Sequence, residues 1–470
     1  MKKMACALCF LLCAAAFGAA SSVSAASQEA PFTLTYERTA TAANDAGGVV
    51  TIIDSPADVS TWYNLYWANE SGKLEGYTML TQLQADGGAE FTIPACTRIP
   101  AEATQIRAYS VTGVILNGQD LRSETEVYAQ APIPSGAVQS EELLYEFQVL
   151  SDVHLRNGSP TDLHYQRFRD ALRDIQTLSP DTSAIFLNGD ITDNGWETQW
   201  EAYQGIVEMV YGDEKPEIYC SIGNHESIDG QTFEQMFDLF NRFTGASNPY
   251  YKVELHGATF LVLSTTLAEI DVSPNYYAYL GEEQRDWLED ELSAAAGKDG
   301  PVFVFLHQPL KETVSGSFES RGQTWMGVMD DAELRAILDR YPNVVMFSSH
   351  THWHLESYGA MKYGDGTGPS FFNTAAVGYL WSDEGAYEGG KTYPGSQGLY
   401  VEVYPESVVV RGRDFENSAW ISAAQFTIPL SSERSGGETG ETSSCGSCNQ
   451  GSAAAILSLL GLAAIRLMRR

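Results

Sequence analysis

The pattern of apolar and polar positions along this chain changes rhythm once, near residue 140. From Pro31 to about Pro134 it runs in short period-two stretches, "FTLTYE", "GVVTIID", "WYNLYWA", "AEFTIP" and "QIRAYSV". Successive strand side chains point to opposite faces, so this alternation predicts strands with one buried face. Gly, Asn, Asp and Pro separate the runs and no amphipathic helix interrupts them. A small all-β sandwich over residues 31–138 is the natural reading. It looks like a fibronectin III or immunoglobulin-like module at the level of fold, with a spacer or docking role. "APIPSGAVQS", residues 131–140, reads as the boundary.

From Leu144 strand-like runs alternate with segments of helical period. "LLYEFQVLS" precedes "DLHYQRFRDALRDIQTL", in which Phe168, Leu172, Ile175 and Leu178 recur at helical spacing. "SAIFLNG", "EIYCSIG", "ATFLVLSTT" and "VFVFLH" are each followed by a further helical segment, and "VVMFSSH" closes the series. The expectation is an α/β domain over residues 144–430, with helices packed on sheets. Ligands in such domains gather where the chain leaves the carboxyl ends of the strands.

The two ends have another character. Lys2 and Lys3 precede an apolar run that closes on small residues, which predicts a signal peptide over residues 1–26, cleaved after Ala25 or Ala26. Residues 431–450 hold Ser, Gly or Thr at 12 of 20 positions, the composition of a flexible stalk. Residues 451–470 add about 15 apolar or small residues before Arg466, Arg469 and Arg470, short of the roughly 20 that span a bilayer. This layout resembles the C-terminal sorting tails of bacterial surface proteins, with Cys445-Gly446-Ser447-Cys448 as the motif; a simple tail anchor is the rival. Either way the tail would contact the membrane or a processing enzyme, and the protein would be secreted and kept at the cell surface.

Removing both ends takes away five positive charges and no negative ones, so the formal charge of −33 becomes −38 over residues 27–450. A body so acidic is a poor partner for nucleic acid or anionic lipid. Cys96 and Cys220 remain in the folded part and are expected as two buried thiols.

Candidate chemistry sits at five successive strand ends: "SDVH" with Asp152 and His154, "NGDITD" with Asp190 and Asp193, "GNHE" with Asn224 and His225, "LHQP" with His307, and "SSHTH" with His350 and His352. Singly, each has an ordinary explanation, because a strand-end Asp often caps the next helix and an isolated His is usually a hydrogen-bonding residue. Five in order argue for one shared site. Carboxylate, imidazole and amide oxygen suit divalent Mn, Fe, Zn or Co. Two such ions roughly 3.5–4 Å apart would clamp both oxygens of an in-line phosphoryl displacement.

Together these motifs resemble the signature of the calcineurin-like metallophosphoesterases, D-x-H, G-D-x-x-D, G-N-H-D/E, H and G-H-x-H, over roughly residues 146–415. The resemblance implies two packed β-sheets flanked by helices, with the site at one end. It implies that Asp152, His154 and His352 hold one ion, that Asn224, His307 and His350 hold the other, and that Asp190 bridges them. A hydroxide shared by the ions would attack phosphorus in line. His225 would stand toward the leaving group with Asp193 orienting its ring, while Glu226 would support the loop. Because His154 and Asp193 stand where purple acid phosphatases differ, the chain looks closer to the class III cyclic nucleotide phosphodiesterases. A small phosphodiester or phosphomonoester is the expected substrate.

Ser349 occupies a position where that family usually has Gly, so it either strains the loop or merely fills space. His354 is read as a supporting or pocket-wall residue and Trp353 as a lining residue. Arg321 or Lys311 could meet a phosphate, and Trp325, Tyr379 or Trp381 could stack on a base or sugar. His164 and His256 carry no motif and are read as structural. The competing reading is a surface docking or adhesion protein that keeps the metal domain as a scaffold, although a scaffold has no reason to hold so many buried polar ligands together.

Overall fold

At the centre of the larger domain the Phe147 ring meets Phe186, Phe260, Phe303, Phe305 and Phe347 edge to face, with centroids 4.8–6.4 Å apart. Edge-to-face contacts suit the aromatic quadrupole and add to the stabilisation from burial. The computed structural model describes residues 32–54, 61–85, 88–113, 115–116, 119–227, 232–265, 276–296, 300–323, 327–362, 368–382 and 392–430.

Two six-stranded sheets close on this aromatic layer. In the first, Ile218–Ser221, Ile185–Asn188 and Tyr145–Leu150 run parallel, followed by the antiparallel Gln397–Val403, Ser407–Asp414 and Ala419–Pro429. In the second, Tyr251–Leu255 pairs antiparallel with Ala258–Val262. Val302–Leu306, Val344–Ser348 and Ser370–Asn373 continue it in parallel, and Met361–Lys362 pairs antiparallel at the far edge. Helices Leu163–Leu178, Glu197–Tyr211 and Phe233–Thr244 cover the outer face of the first sheet. Gly281–Ala295 and Asp331–Leu338 cover the second. Phe168, Leu172 and Ile175 of the first helix are buried as their spacing predicts, but Leu178 is 43% exposed, because it falls in the last turn.

The N-terminal region is all β. A sheet of Phe32–Arg38, Gly48–Asp54 and Ala89–Ile93 packs across Phe32, Val50, Tyr63, Trp67 and Ile106 against a second sheet built on Thr61–Asn69, Gln105–Thr112 and Ser123–Pro132. It is not a detached spacer. Its loops hydrogen-bond along the edge strand Ala419–Pro429, with Arg98 N donating to Gln425 O at 2.8 Å, Thr427 N to Cys96 O at 2.8 Å and Thr78 N to Trp420 O at 2.8 Å. Arg411 binds the Tyr77 hydroxyl at 3.0 Å and lies 3.7 Å over the Trp420 ring.

Cys220 is a free buried thiol, whereas Cys96, also buried, is not a free thiol, which corrects the expectation of two buried thiols. Among the described residues no helix is long and apolar enough to cross a membrane. The expected signal peptide, stalk and C-terminal segment lie outside the described residues.

Replacing Phe147 by Ala should cost about 3–5 kcal/mol, since the hole is lined from both sheets and cannot collapse. Urea unfolding should show a lower midpoint with an unchanged slope; a midpoint equal to wild type would show that the aromatic layer does not hold the sheets together.

Candidate metal centre

The five chemistry-bearing segments follow strands that run parallel within their sheets, so their side chains converge at one end of the domain. They turn inward through unusual backbone. Asp152, His154, Asp190, His350 and His352 all have φ between 50° and 69°, and they make up five of the eleven non-glycine residues in this region among those described. A left-handed residue other than glycine costs about 1–2 kcal/mol, and such strain collects at functional sites.

The loops are stitched together to hold it. Asp152 N donates to Gly189 O at 3.1 Å, His154 N to Asp190 O at 2.9 Å, Ser349 N to His307 O at 2.8 Å and Trp381 N to His352 O at 2.8 Å. Glu226 clamps one side. It accepts from Asp190 N at 3.0 Å, Gly223 N at 2.8 Å and Thr192 N at 3.0 Å, which is the supporting role its position suggested. Two glycines make room for this packing: a Cβ on Gly189, whose φ is +85°, would fall 2.5 Å from His307 Nδ1, and one on Gly223 would fall 2.2 Å from Asp190 Oδ1.

Among the described residues the ligand-type atoms form three groups: Asp152, His154, Asp190 and His352 make one, Asp190, His307 and His350 make a second that shares Asp190 with it, and His154, Asp193 and His225 make a third that shares His154. His352 Nε2 lies 3.0 Å from Asp152 Oδ1 and 3.1 Å from His154 Nε2. Across the cluster, His307 Nε2 lies 3.1 Å from Asp190 Oδ2 and 3.9 Å from Asp152 Oδ1. Backbone carbonyls fix the far side of two rings, Asn188 O at 2.8 Å from His307 Nδ1 and Tyr379 O at 3.0 Å from His352 Nδ1. A carbonyl only accepts, so each Nδ1 carries the proton and each Nε2 faces the cluster. Asp152 Oδ1, His307 Nε2 and His350 Nε2 are buried without a well-aligned hydrogen bond. Buried polar atoms of this kind cost free energy unless something satisfies them, and divalent cations fit the donor set.

The electrostatics point the same way. Burial opposes the charge of Asp190, but His307 beside it holds the carboxyl well below the ordinary range. His307 is raised in turn to about 10, against its burial, by Asp190 and Asp152. Burial lowers His350 to about 3, with His307 adding to the effect. The site therefore places positive charge between two buried carboxylates, where a metal ion would supply it.

His225 borders the cluster, its ring edge-on to His154 at 4.4 Å and its main-chain N–H donating to Asp190 Oδ1 at 2.8 Å. The expected His225–Asp193 pairing needs a correction. His225 Nδ1 donates to the Asp193 carbonyl at 2.8 Å, whereas the Asp193 carboxylate lies 3.5 Å from His154 Nδ1. Asp193 thus orients His225 through its main chain and faces His154 with its side chain.

Of the expected substrate contacts, Tyr379 is at the site, its ring 4.2 Å from that of His352. Trp381 packs 5.7 Å from the buried Trp353 and hydrogen-bonds through its backbone to His352 and His354, so both indoles form the wall behind the histidines. The His354 ring turns toward Glu356, 3.8 Å away, and joins none of the metal-type groups among the described residues. Arg321 stacks 3.7 Å over Tyr358 and Lys311 pairs with Glu319. Trp325 lies outside the described residues. His256 stacks on Tyr145 and is structural. Ser349 is not in the left-handed region; the strain falls on its neighbour His350.

The fold and cluster describe a layered α/β domain with a buried set of Asp and His side chains that could hold metal at its strand ends. Residues 146–354 match the family model for calcineurin-like phosphoesterases. A probable cyclic nucleotide phosphodiesterase of Rhodococcus erythropolis is 28% identical over 196 residues, covering 40% of this chain and 62% of that protein. A 3',5'-cyclic-nucleotide phosphodiesterase of Nostoc sp. is 22% identical over 218 residues, covering 45% of this chain and 73% of the relative. The aligned part therefore spans less than two thirds of the Rhodococcus protein. Among solved structures, a purple acid phosphatase from yellow lupin seeds superposes with a TM-score of 0.44 at 12% identity, covering 85% of this chain and 74% of its own.

His164 supports the first loop, its Nδ1 donating to Val153 O at 2.9 Å, and burial lowers its pKa to about 4. Between the ordinary value near 6.5 and about 4 the unfolded chain takes up a proton that the folded chain does not, so this contribution is complete above pH 6.5 and is lost as pH falls. For the metal-free protein, the stability lost between pH 7.5 and 4.5 should be about 2–3 kcal/mol smaller in His164→Gln than in wild type. Equal losses by urea titration would refute the assignment.

Proposed function

We propose that this protein hydrolyses a phosphate ester, a phosphodiester in preference, using two divalent metal ions. The observation that carries the reading is the pair of buried ligand groups sharing Asp190. In this reading Asp152, His154, Asp190 and His352 hold one ion, and Asp190, Asn224, His307 and His350 hold the other. When bound, the ions would lower the pKa of water and neutralise phosphoryl charge.

The remaining steps belong to the chain. His225 stands beside the Asp190 carboxylate, and although burial lowers its pKa, Asp190 and the Asp193 carbonyl raise it above the ordinary value, which favours the protonated ring. With Nδ1 committed to the Asp193 carbonyl, Nε2 is the atom that gives a proton to the leaving oxygen. The Asp193 carboxylate holds the His154 ring, and Tyr379 walls the site beside His352. The names of the cyclic nucleotide phosphodiesterases similar to this chain favour a diester, and the Tyr379 ring offers a surface for a base or sugar.

The full chain supplied with Mn or Zn should bind about two ions and hydrolyse bis(4-nitrophenyl) phosphate faster than 4-nitrophenyl phosphate. Asp190→Asn should lose metal and activity together. His225→Ala should keep the metal and lose about 10²–10⁴ in kcat. One ion or none, with no hydrolysis of either ester, would overturn the proposal.

We also propose that the protein acts outside the cell and is held there by its C-terminal segment. The basic, apolar and small-residue order of residues 1–26 motivates the first part, and the stalk followed by an apolar, basic end motivates the second. N-terminal sequencing of the native protein from the surface fraction should begin at Ala26 or Ser27; an intact Met1 in a cytosolic fraction would refute it.

A further inference from the structure

A run of buried polar side chains, none of them among the ligand-type groups until its last member, leads from Asn188 to the metal centre. Asn188 Oδ1 accepts from Ser221 Oγ at 2.9 Å, and its Nδ2 faces the Leu306 and Phe347 carbonyls at 3.3 and 3.2 Å, so the orientation of the amide is fixed. The shortest contact of Nδ2 is to Ser349 Oγ, at 2.8 Å. Ser349 Oγ lies 2.7 Å from Thr374 Oγ1, Thr374 Oγ1 lies 2.7 Å from Ser151 Oγ, and Ser151 Oγ lies 2.7 Å from Asp152 Oδ2. Ser151, Asp152, Ser349 and Thr374 are all fully buried.

Both ends set the direction of this chain. An amide N–H only donates and an ionised carboxylate only accepts. Ser349 therefore receives from Asn188 and gives its proton to Thr374, Thr374 gives to Ser151, and Ser151 gives to Asp152. The Ala375 carbonyl, 3.1 Å from Ser151 Oγ, is the longer and uncharged alternative. Hydrogen bonds aligned in this way polarise one another.

We propose that Ser349 is a positioning residue, which through Thr374 and Ser151 engages Oδ2 of Asp152 and so presents Oδ1 as the metal-binding oxygen. The inference rests on the metal-centre reading above and goes beyond it. Asp152 Oδ2 is already occupied, since His350 N adds a longer donation at 3.3 Å. Oδ1 faces the Nε2 atoms of His352, His307 and His154 at 3.0, 3.9 and 4.0 Å. The main chain of Asn188 also holds His307, so one residue orients ligands in both groups. A glycine at 349 would leave the relay without its directing donor, and Ser151 would be free to turn to Ala375. Hydrogen bonds to a ligating carboxylate set its orientation and basicity, and losing them typically weakens metal binding about 10–100-fold.

The test is Co(II) binding to the full-length, metal-free protein, read by chelator competition and by the visible absorption of the bound ion. Ser349→Ala should weaken the tighter or the weaker site about tenfold and alter the absorption band, while Ser349→Thr should stay within about threefold of wild type. Ser151→Ala should weaken binding at least as much, and the double variant should be no worse than Ser151→Ala alone, because the two residues act in series. Circular dichroism with thermal melting identifies any variant that fails to fold. Unchanged Co(II) binding by folded Ser349→Ala, or losses that add fully in the double variant, would overturn the relay while leaving the metal centre standing. A wild-type chain that binds no Co(II) would overturn the metal centre itself, and the relay with it.

Discussion

The buried carboxamide of Asn188 is the joint on which the site depends. It ends a strand of the first sheet, yet its Nδ2 reaches the carbonyls of Leu306 and Phe347, which lie on two neighbouring strands of the second. Leaving such a group unpaired in a dry interior costs about 1–3 kcal/mol, so the two sheets are held in one relative position where their strands end. Asp152, Asp190 and Asn224 leave from the first sheet, while His307, His350 and His352 leave from the second. The spacing set by Asn188 is therefore the spacing between the two halves of the cluster. The phenylalanine layer supplies most of the burial but is non-directional; the amide supplies the register.

What those halves contain is costly without a partner. Two buried carboxylates, several imidazoles turned toward them and five left-handed backbones would not be retained by packing alone. The stitching between loops keeps the arrangement in place, and Glu226 holds the loops of Asp190 and Gly223 together with a single carboxylate. Within the metal-free cluster His307 carries the positive charge that the carboxylates demand. A divalent ion would meet the same demand with more charge, and would leave the imidazoles neutral as ligands.

The sequence revealed the residues that the chemistry requires more readily than those that hold them. Asp152, His154, Asp190, His307, His350 and His352 stand directly after apolar runs, and a polar residue at the exit of a buried strand is conspicuous. The strands Gln397–Val403, Ser407–Asp414 and Ala419–Pro429 were passed over because they follow the last motif and alternate with no helix. Asp193 was legible as a partner for His225, but sequence does not separate the work of a carbonyl from that of a carboxylate. Ser151 and Thr374 lie 223 positions apart and each reads locally as a turn residue, so only the fold shows that they touch. Asn188 offered one signal, an amide closing an otherwise apolar strand.

The N-terminal sandwich acquires a definite task from the topology of the first sheet. That sheet has Tyr145–Leu150, the strand leading to Asp152, in its interior and Ala419–Pro429 at its edge. An open edge exposes unpaired backbone groups and invites pairing with another chain. The sandwich closes it at Trp420, Gln425 and Thr427 through main-chain bonds, and Arg411 adds a side-chain tie to Tyr77. Covering an edge by hydrogen bonding fixes orientation more firmly than an apolar contact of the same size, because each bond has a direction and a register. The two domains are thus joined by main-chain hydrogen bonds, with the sandwich closing one edge of the sheet from which Asp152, Asp190 and Asn224 leave.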